Sequence, residues 1–151
     1  MLDHTHPIDI HAHYYPEAFL DLLEQYGAPF DAGCDRSDPL GPRMKVGKYR
    51  SIPLERKFID LDDRIAAMDA QQVKAQVLSL TLPMVYWAGR DLGQRLCQAY
   101  NDAVVTAHQG FPERLFGFAV LPMHEPDLAV QEIDRAKGEV PHYLPGTNPY
   151  L

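Results

Sequence analysis

Apolar residues fall into two patterns that alternate along the chain. Short apolar runs at Pro7-Ile8-Asp9-Ile10-His11-Ala12-His13, at Val73 to Leu80 and at Leu115 to Leu121 have the length and composition of β-strands. Elsewhere apolar positions recur every three or four residues, the period of a helix with one buried face. Ala18, Phe19, Leu22, Leu23 and Tyr26 follow Pro16, Leu61, Ile65 and Met68 follow Asp60, and Leu92, Leu96, Ala99, Tyr100, Ala103, Val104 and Ala107 follow Asp91. Leu128, Ala129, Ile133 and Ala136 follow Pro126. Pro16 and Pro126 suit helix starts, Asp60 and Asp91 suit N-caps, and Gly27 and Gly110 suit stops. Asp62, Asp63, Arg64 and Asp69 are expected on the wet face of their helix. The order is strand, helix, insertion, helix, strand, helix, strand, helix. It predicts an α/β fold with right-handed crossovers, a parallel sheet near residues 8–11, 74–80 and 115–121, and helices outside it.

The periodic pattern breaks in three places. Residues 28–58 are studded with Pro29, Gly33, Pro39, Gly41, Pro42, Gly47 and Pro53, and read as an insertion. Alternation from Met44 to Ile52 allows a small hairpin there, turning at Gly47-Lys48. Thr81 to Trp87 leaves the second strand as a partly aromatic loop, either a hydrophobic plug or a substrate contact. Beyond Gly138 the period ends; residues 1–138 read as one domain and residues 139–151, with Pro141, Pro145 and Pro149, as an irregular proline-rich tail.

The pair His11 and His13 carries the candidate chemistry. Strict alternation in a strand places Asp9, His11 and His13 on one face, with Asp9 deeper and expected to hold neighbouring side chains. Two imidazoles converging at the carboxyl end of a parallel strand can share a metal ion. Two histidines so placed can also be incidental. A second H-x-H, His4 and His6, lies before the strand on the chain terminus and is given little weight.

Charge and cysteine content narrow the setting. The 151 residues carry a formal net charge of −7, which argues against nucleic acid or an anionic membrane as the main partner. Residues 43–57 hold a local +5, so the remainder stands at −12. That basic stretch reads either as a solvated loop or as a clamp for an acidic substrate, with Arg50 the nominated carboxylate grip. Cys34 and Cys97 make no disulfide scaffold, no leader pattern opens the chain, and the longest uncharged run, Ala75 to Gly89, has 15 residues. A membrane span needs ~20; a reducing cytoplasm is the expected home.

Several stretches together resemble the amidohydrolase-related metal-dependent decarboxylases. They are Ile8-Asp9-Ile10-His11-Ala12-His13, Asp63-Arg64-Ile65-Ala66-Ala67-Met68-Asp69 with Val77-Leu78-Ser79, Asn101-Asp102, and Pro112-Glu113-Arg114-Leu115-Phe116-Gly117-Phe118-Ala119-Val120-Leu121-Pro122. The resemblance implies the N-terminal part of a (β/α)8 TIM barrel of the metal-dependent hydrolase type, incomplete in this chain. It implies one divalent metal, usually zinc, with His11 and His13 as its first two ligands. It also implies loss of carbon dioxide from a small aromatic or unsaturated carboxylic acid. The family's further histidine and aspartate ligands, and a late histidine used in proton transfer, lie on later strands, and His108, His124 and His142 do not stand in for them. Two other readings remain at this point: hydrolysis of a lactone or amide in the same superfamily, and a non-catalytic fragment. Three strands with open edges expose backbone donors and acceptors, so such a fragment would work only by pairing with another chain or a second copy.

Overall fold

The computed structural model describes residues 7–137 of the chain. β1 (Ile8–His13) leads into α1 (Glu17–Tyr26), and an antiparallel insertion follows, made of β2 (Ala32–Asp35), β3 (Arg43–Val46) and β4 (Tyr49–Arg50). The chain continues through α2 (Leu61–Ala70), β5 (Ala75–Ser79), α3 (Arg90–Gly110), β6 (Leu115–Gly117) and α4 (Pro126–Lys137). The expected alternation is present. β1, β5 and β6 form one sheet in that order and both pairings are parallel. The proline-rich tail, His4, His6 and His142 lie outside the described residues.

The core fills the space between this sheet and its helices. Phe19, Leu20 and Leu23 of α1, Met68 of α2, Leu78 of β5, Leu96 and Tyr100 of α3 and Leu115 of β6 are fully buried or nearly so. Gly117 marks how closely α3 approaches the sheet, since a Cβ there would stand 2.2 Å from Val104 Cγ1. The edge strand β1 is less covered: Ile8 and Ile10 stay 45% and 70% exposed.

Four expectations change. The third strand ends at Gly117 and not near 121, because the Asn101 side chain takes over the next backbone groups, donating to the Val120 carbonyl and accepting from its N–H, both at 2.9 Å. α3 starts one residue before Asp91, with Gly89 as its cap; Asp91 sits in the first turn, where its charge still favours the positive end of the helix dipole. Arg64 is buried, at 4% exposure, with two partners inside. A bulge in β1 also separates Asp9 from the histidines. Asp9 is in register with Gln76 and Ala12 with Leu78, so two residues of β1, Ile10 and His11, face the single Val77 of β5. Asp60 does cap α2, accepting from the Asp63 N–H at 2.9 Å.

The insertion is more ordered than its composition suggests. β3 and β4 turn at Gly47-Lys48, where Gly47 has φ of 53°, and β2 adds a third antiparallel strand along β3. Arg36, just after β2, binds Glu17, Asp21 and Glu24, which stand on one stripe of α1. Among the described residues no helix is long and apolar enough to cross a membrane.

Candidate metal centre

His11 and His13 meet at the carboxyl end of β1. Their Nε2 atoms are 3.1 Å apart, with ring centroids 4.6 Å apart and the planes nearly perpendicular. With metal–nitrogen bonds of ~2.0–2.1 Å, that separation corresponds to a ligand angle of about 100°, between the tetrahedral and octahedral values. The two donors therefore fit one divalent ion. Among the described residues no group of three or more His, Cys, Asp or Glu side chains gathers to hold one. His108 bonds the Leu115 carbonyl and His124 the Ala88 carbonyl, each tied to its own helix surroundings.

The chemistry of the pair is set by its neighbours. Burial, then the charges of His11 and Arg64, hold His13 below the ordinary imidazole pKa, against a smaller upward pull from Asp9. A neutral ring offers a lone pair. Ser79, opposite His13 in the β1–β5 ladder, places its Oγ 3.4 Å from His13 Nδ1, where a proton on Nδ1 leaves Nε2 free to bind. Sequence reasoning did not single out Ser79, although its place at the end of the second strand, level with the histidines, is legible once the strands are aligned.

Asp9 acts on the other side of the strand. Its Oδ1 accepts from the His11 N–H at 2.9 Å, a donor that the bulge takes out of the ladder, and its Oδ2 accepts from Gln76 Nε2 at 3.2 Å. Both of its carboxylate oxygens are thus engaged, one by the His11 backbone and one by Gln76, the residue opposite it in the ladder.

The loop after β5 closes over the same end of the sheet. Val85 and Ala88 are buried in the core and Trp87 Nε1 donates to the Met84 carbonyl, so this part is a plug, while Leu82 is 59% exposed. Two tyrosines reach the Leu82 carbonyl: Tyr15 Oη at 2.8 Å and, from the insertion, Tyr49 Oη at 3.3 Å. Arg50 is next to Tyr49 and exposed, and its Nη1 donates to the Gly47 and Tyr49 carbonyls. Four of the other basic residues in this stretch are paired with acids, Arg43 with Asp38, Lys45 with Asp31, Arg56 with Asp63 and Lys57 with Glu55.

A family model described as amidohydrolase matches residues 8–140, nearly all of the described chain. The chain belongs to the amidohydrolase family. Within it, the sequence is 33% identical over 127 residues to 2-amino-3-carboxymuconate-6-semialdehyde decarboxylase of Caenorhabditis elegans, covering 82% of this chain and 31% of that protein. This amidohydrolase chain thus spans less than a third of that relative's length. The apo structure of Metarhizium anisopliae IDCase superposes with a TM-score of 0.71 at 22% identity, over 87% of this chain and 39% of that one. A dihydroxybenzoic acid decarboxylase from Polaromonas sp. JS666, solved with bound manganese and 2-nitroresorcinol, gives 0.59 at 24% identity, over 89% and 35%. These likenesses fix the fold: the described residues are the opening β/α units of the (β/α)8 barrel of the metal-dependent hydrolase type. The carboxyl ends of barrel strands are where such folds keep their chemistry, and His11, His13 and Ser79 stand there.

Proposed function

We propose that this chain supplies the first two metal ligands, His11 and His13, of a metal-dependent decarboxylase acting on a small aromatic or unsaturated carboxylic acid. The observation that carries the reading is the convergence of the two Nε2 atoms at 3.1 Å on the carboxyl end of β1. Family membership supports it, as do a relative named for decarboxylation of a carboxymuconate semialdehyde and a barrel of the same fold that binds manganese. Zinc is the ion proposed here, since imidazole donors suit it well. A divalent ion in this place supplies a Lewis acid that polarises a substrate oxygen and lowers the pKa of bound water toward ~7.

The chain's own residues do the rest of the local work. His11 and His13 bind through Nε2 as neutral rings, and Ser79 holds a proton on His13 Nδ1. Val85 and Ala88 keep water out beneath the mouth loop. Arg50 is the proposed grip on the substrate carboxylate; to serve, its guanidinium exchanges the Gly47 and Tyr49 carbonyls for a two-point contact with the acid. Product analysis on the complete protein to which the chain contributes tests the reading. Carbon dioxide released from an aromatic or unsaturated acid, and lost on His11→Ala, supports it; ring opening or amide cleavage without loss of carbon assigns hydrolysis and overturns it.

A further inference from the structure

We propose that Arg64, Gln76 and Asp9 form a clamp that fixes the spacing of the His11–His13 pair, making all three positioning residues for the ion that the pair binds. The proposal rests on the metal reading above only in its last clause. Four hydrogen bonds make the clamp. The His11 N–H donates to Asp9 Oδ1 at 2.9 Å, Gln76 Nε2 donates to Asp9 Oδ2 at 3.2 Å, Arg64 Nη1 donates to Gln76 Oε1 at 2.8 Å, and Arg64 Nη2 donates to the His13 carbonyl. The series begins on the backbone of one histidine and ends on the backbone of the other.

The reason for such a device lies in the bulge. Ladder pairing is interrupted between Asp9 and Ala12, so the rungs that would fix the backbone at His11 are missing. Side chains supply what the ladder does not. Arg64 is 4% exposed, and among the described residues no carboxylate stands within ion-pair distance of it. Burying a guanidinium without an acid is costly, and an apolar side chain on α2 would fill the same space with less penalty. The direction of the relay is also imposed. Arginine can only donate, so Gln76 must present its oxygen to Arg64 and its amide hydrogens to Asp9, which therefore has to be an acceptor at both oxygens. Arg64, part of the Asp63-to-Asp69 stretch singled out in the sequence but unused by the chemistry of the site, acquires a role through this chain of bonds.

The test compares the unaltered 151-residue chain with Gln76→Leu, Arg64→Met and Asp9→Asn. Asp9→Asn is nearly isosteric and keeps the variant set informative if a buried substitution fails to fold. The first readout needs no metal. In long-range proton–nitrogen spectra of the labelled chain, an Nε2-to-Nε2 contact requires one ring protonated at Nε2 and the other bare, giving unequal imidazole patterns. We expect that inequality in the unaltered chain and its collapse in the variants. The second readout is affinity for zinc alone, expected to fall about tenfold or more in the variants, as loss of groups that orient metal-binding histidines does elsewhere. Unequal patterns and zinc affinity that persist in the variants while the melting temperature drops would assign the network to fold stability and overturn the clamp. Equal, solvent-like patterns in the unaltered chain overturn it too. Patterns that collapse as expected in a chain that binds no zinc leave the clamp standing and sink the metal reading.

Discussion

Asn101→Leu is the most exacting test of how the strand end is held. Asn101 is buried on α3 and makes three bonds: Nδ2 donates to the Val120 carbonyl at 2.9 Å and to Glu132 Oε1 at 2.7 Å, and Oδ1 accepts from the Val120 N–H at 2.9 Å. Leucine keeps the volume and removes all three. Val120 is 5% exposed and Glu132 1%, so both backbone groups of Val120 lose their partner away from water, while Glu132 keeps Arg135. At about 1–3 kcal/mol for each buried group left unpaired, with some recovery by movement of residues 118–122, the cost is about 3–5 kcal/mol. That is a large share of a total stability of about 5–15 kcal/mol. With a urea slope of about 2 kcal/mol per molar, the unfolding midpoint followed by circular dichroism should fall by about 2 M. A loss below about 1 kcal/mol would refute the view that Asn101 replaces a ladder rung. Asn101→Asp is a sharper variant, because the introduced carboxylate faces Glu132 and its folded-state pKa rises above the unfolded value. The folded form then binds more protons than the unfolded one, so the variant should regain stability as pH falls through that raised pKa and lose it as pH rises.

Three further outcomes are expected. His11→Ala and His13→Ala should each abolish zinc binding by the 151-residue chain, in which the two proposed ligands alone should hold the ion only weakly; stoichiometric zinc after dialysis would reveal ligands beyond this pair. Arg50→Lys in the complete protein should raise KM for a carboxylic acid substrate despite the retained charge, because the two-point fork is lost; unchanged KM and kcat would return Arg50 to its hairpin. Burial pushes the Cys34 thiol up to about 11 and the Cys97 thiol higher still, so both should react slowly with a disulfide reagent at pH 8 and rapidly once the chain is unfolded in denaturant; rapid reaction in the native state would contradict the burial of these thiols.

The parallel sheet and the histidine pair were legible because both follow from simple periods. Apolar runs separated by amphipathic stretches dictate the layers, and two residues on one strand face must converge on whatever lies in front of it. The bulge was invisible to that reasoning. One extra residue between Asp9 and Ala12 reverses the face of everything before it, and no residue type at Ile10 or His11 announces it. Arg64 was misplaced for a related reason: a helical period assigns a charged residue to water unless its partners are known, and those partners come from β1 and β5. The third strand was read too long because Ala119, Val120 and Leu121 are apolar and buried, as strand residues are, while their backbone is held by a side chain from α3.

The meeting of Tyr15 and Tyr49 on the single carbonyl of Leu82 has a mechanical corollary. Tyr15 belongs to the segment that carries the histidines, and Tyr49 to the insertion. The mouth loop is thus tethered once by the segment that carries the histidines and once by the insertion, whose strands pair only with one another, so a disturbance of the small antiparallel sheet reaches the rim through one hydroxyl while the other still holds it.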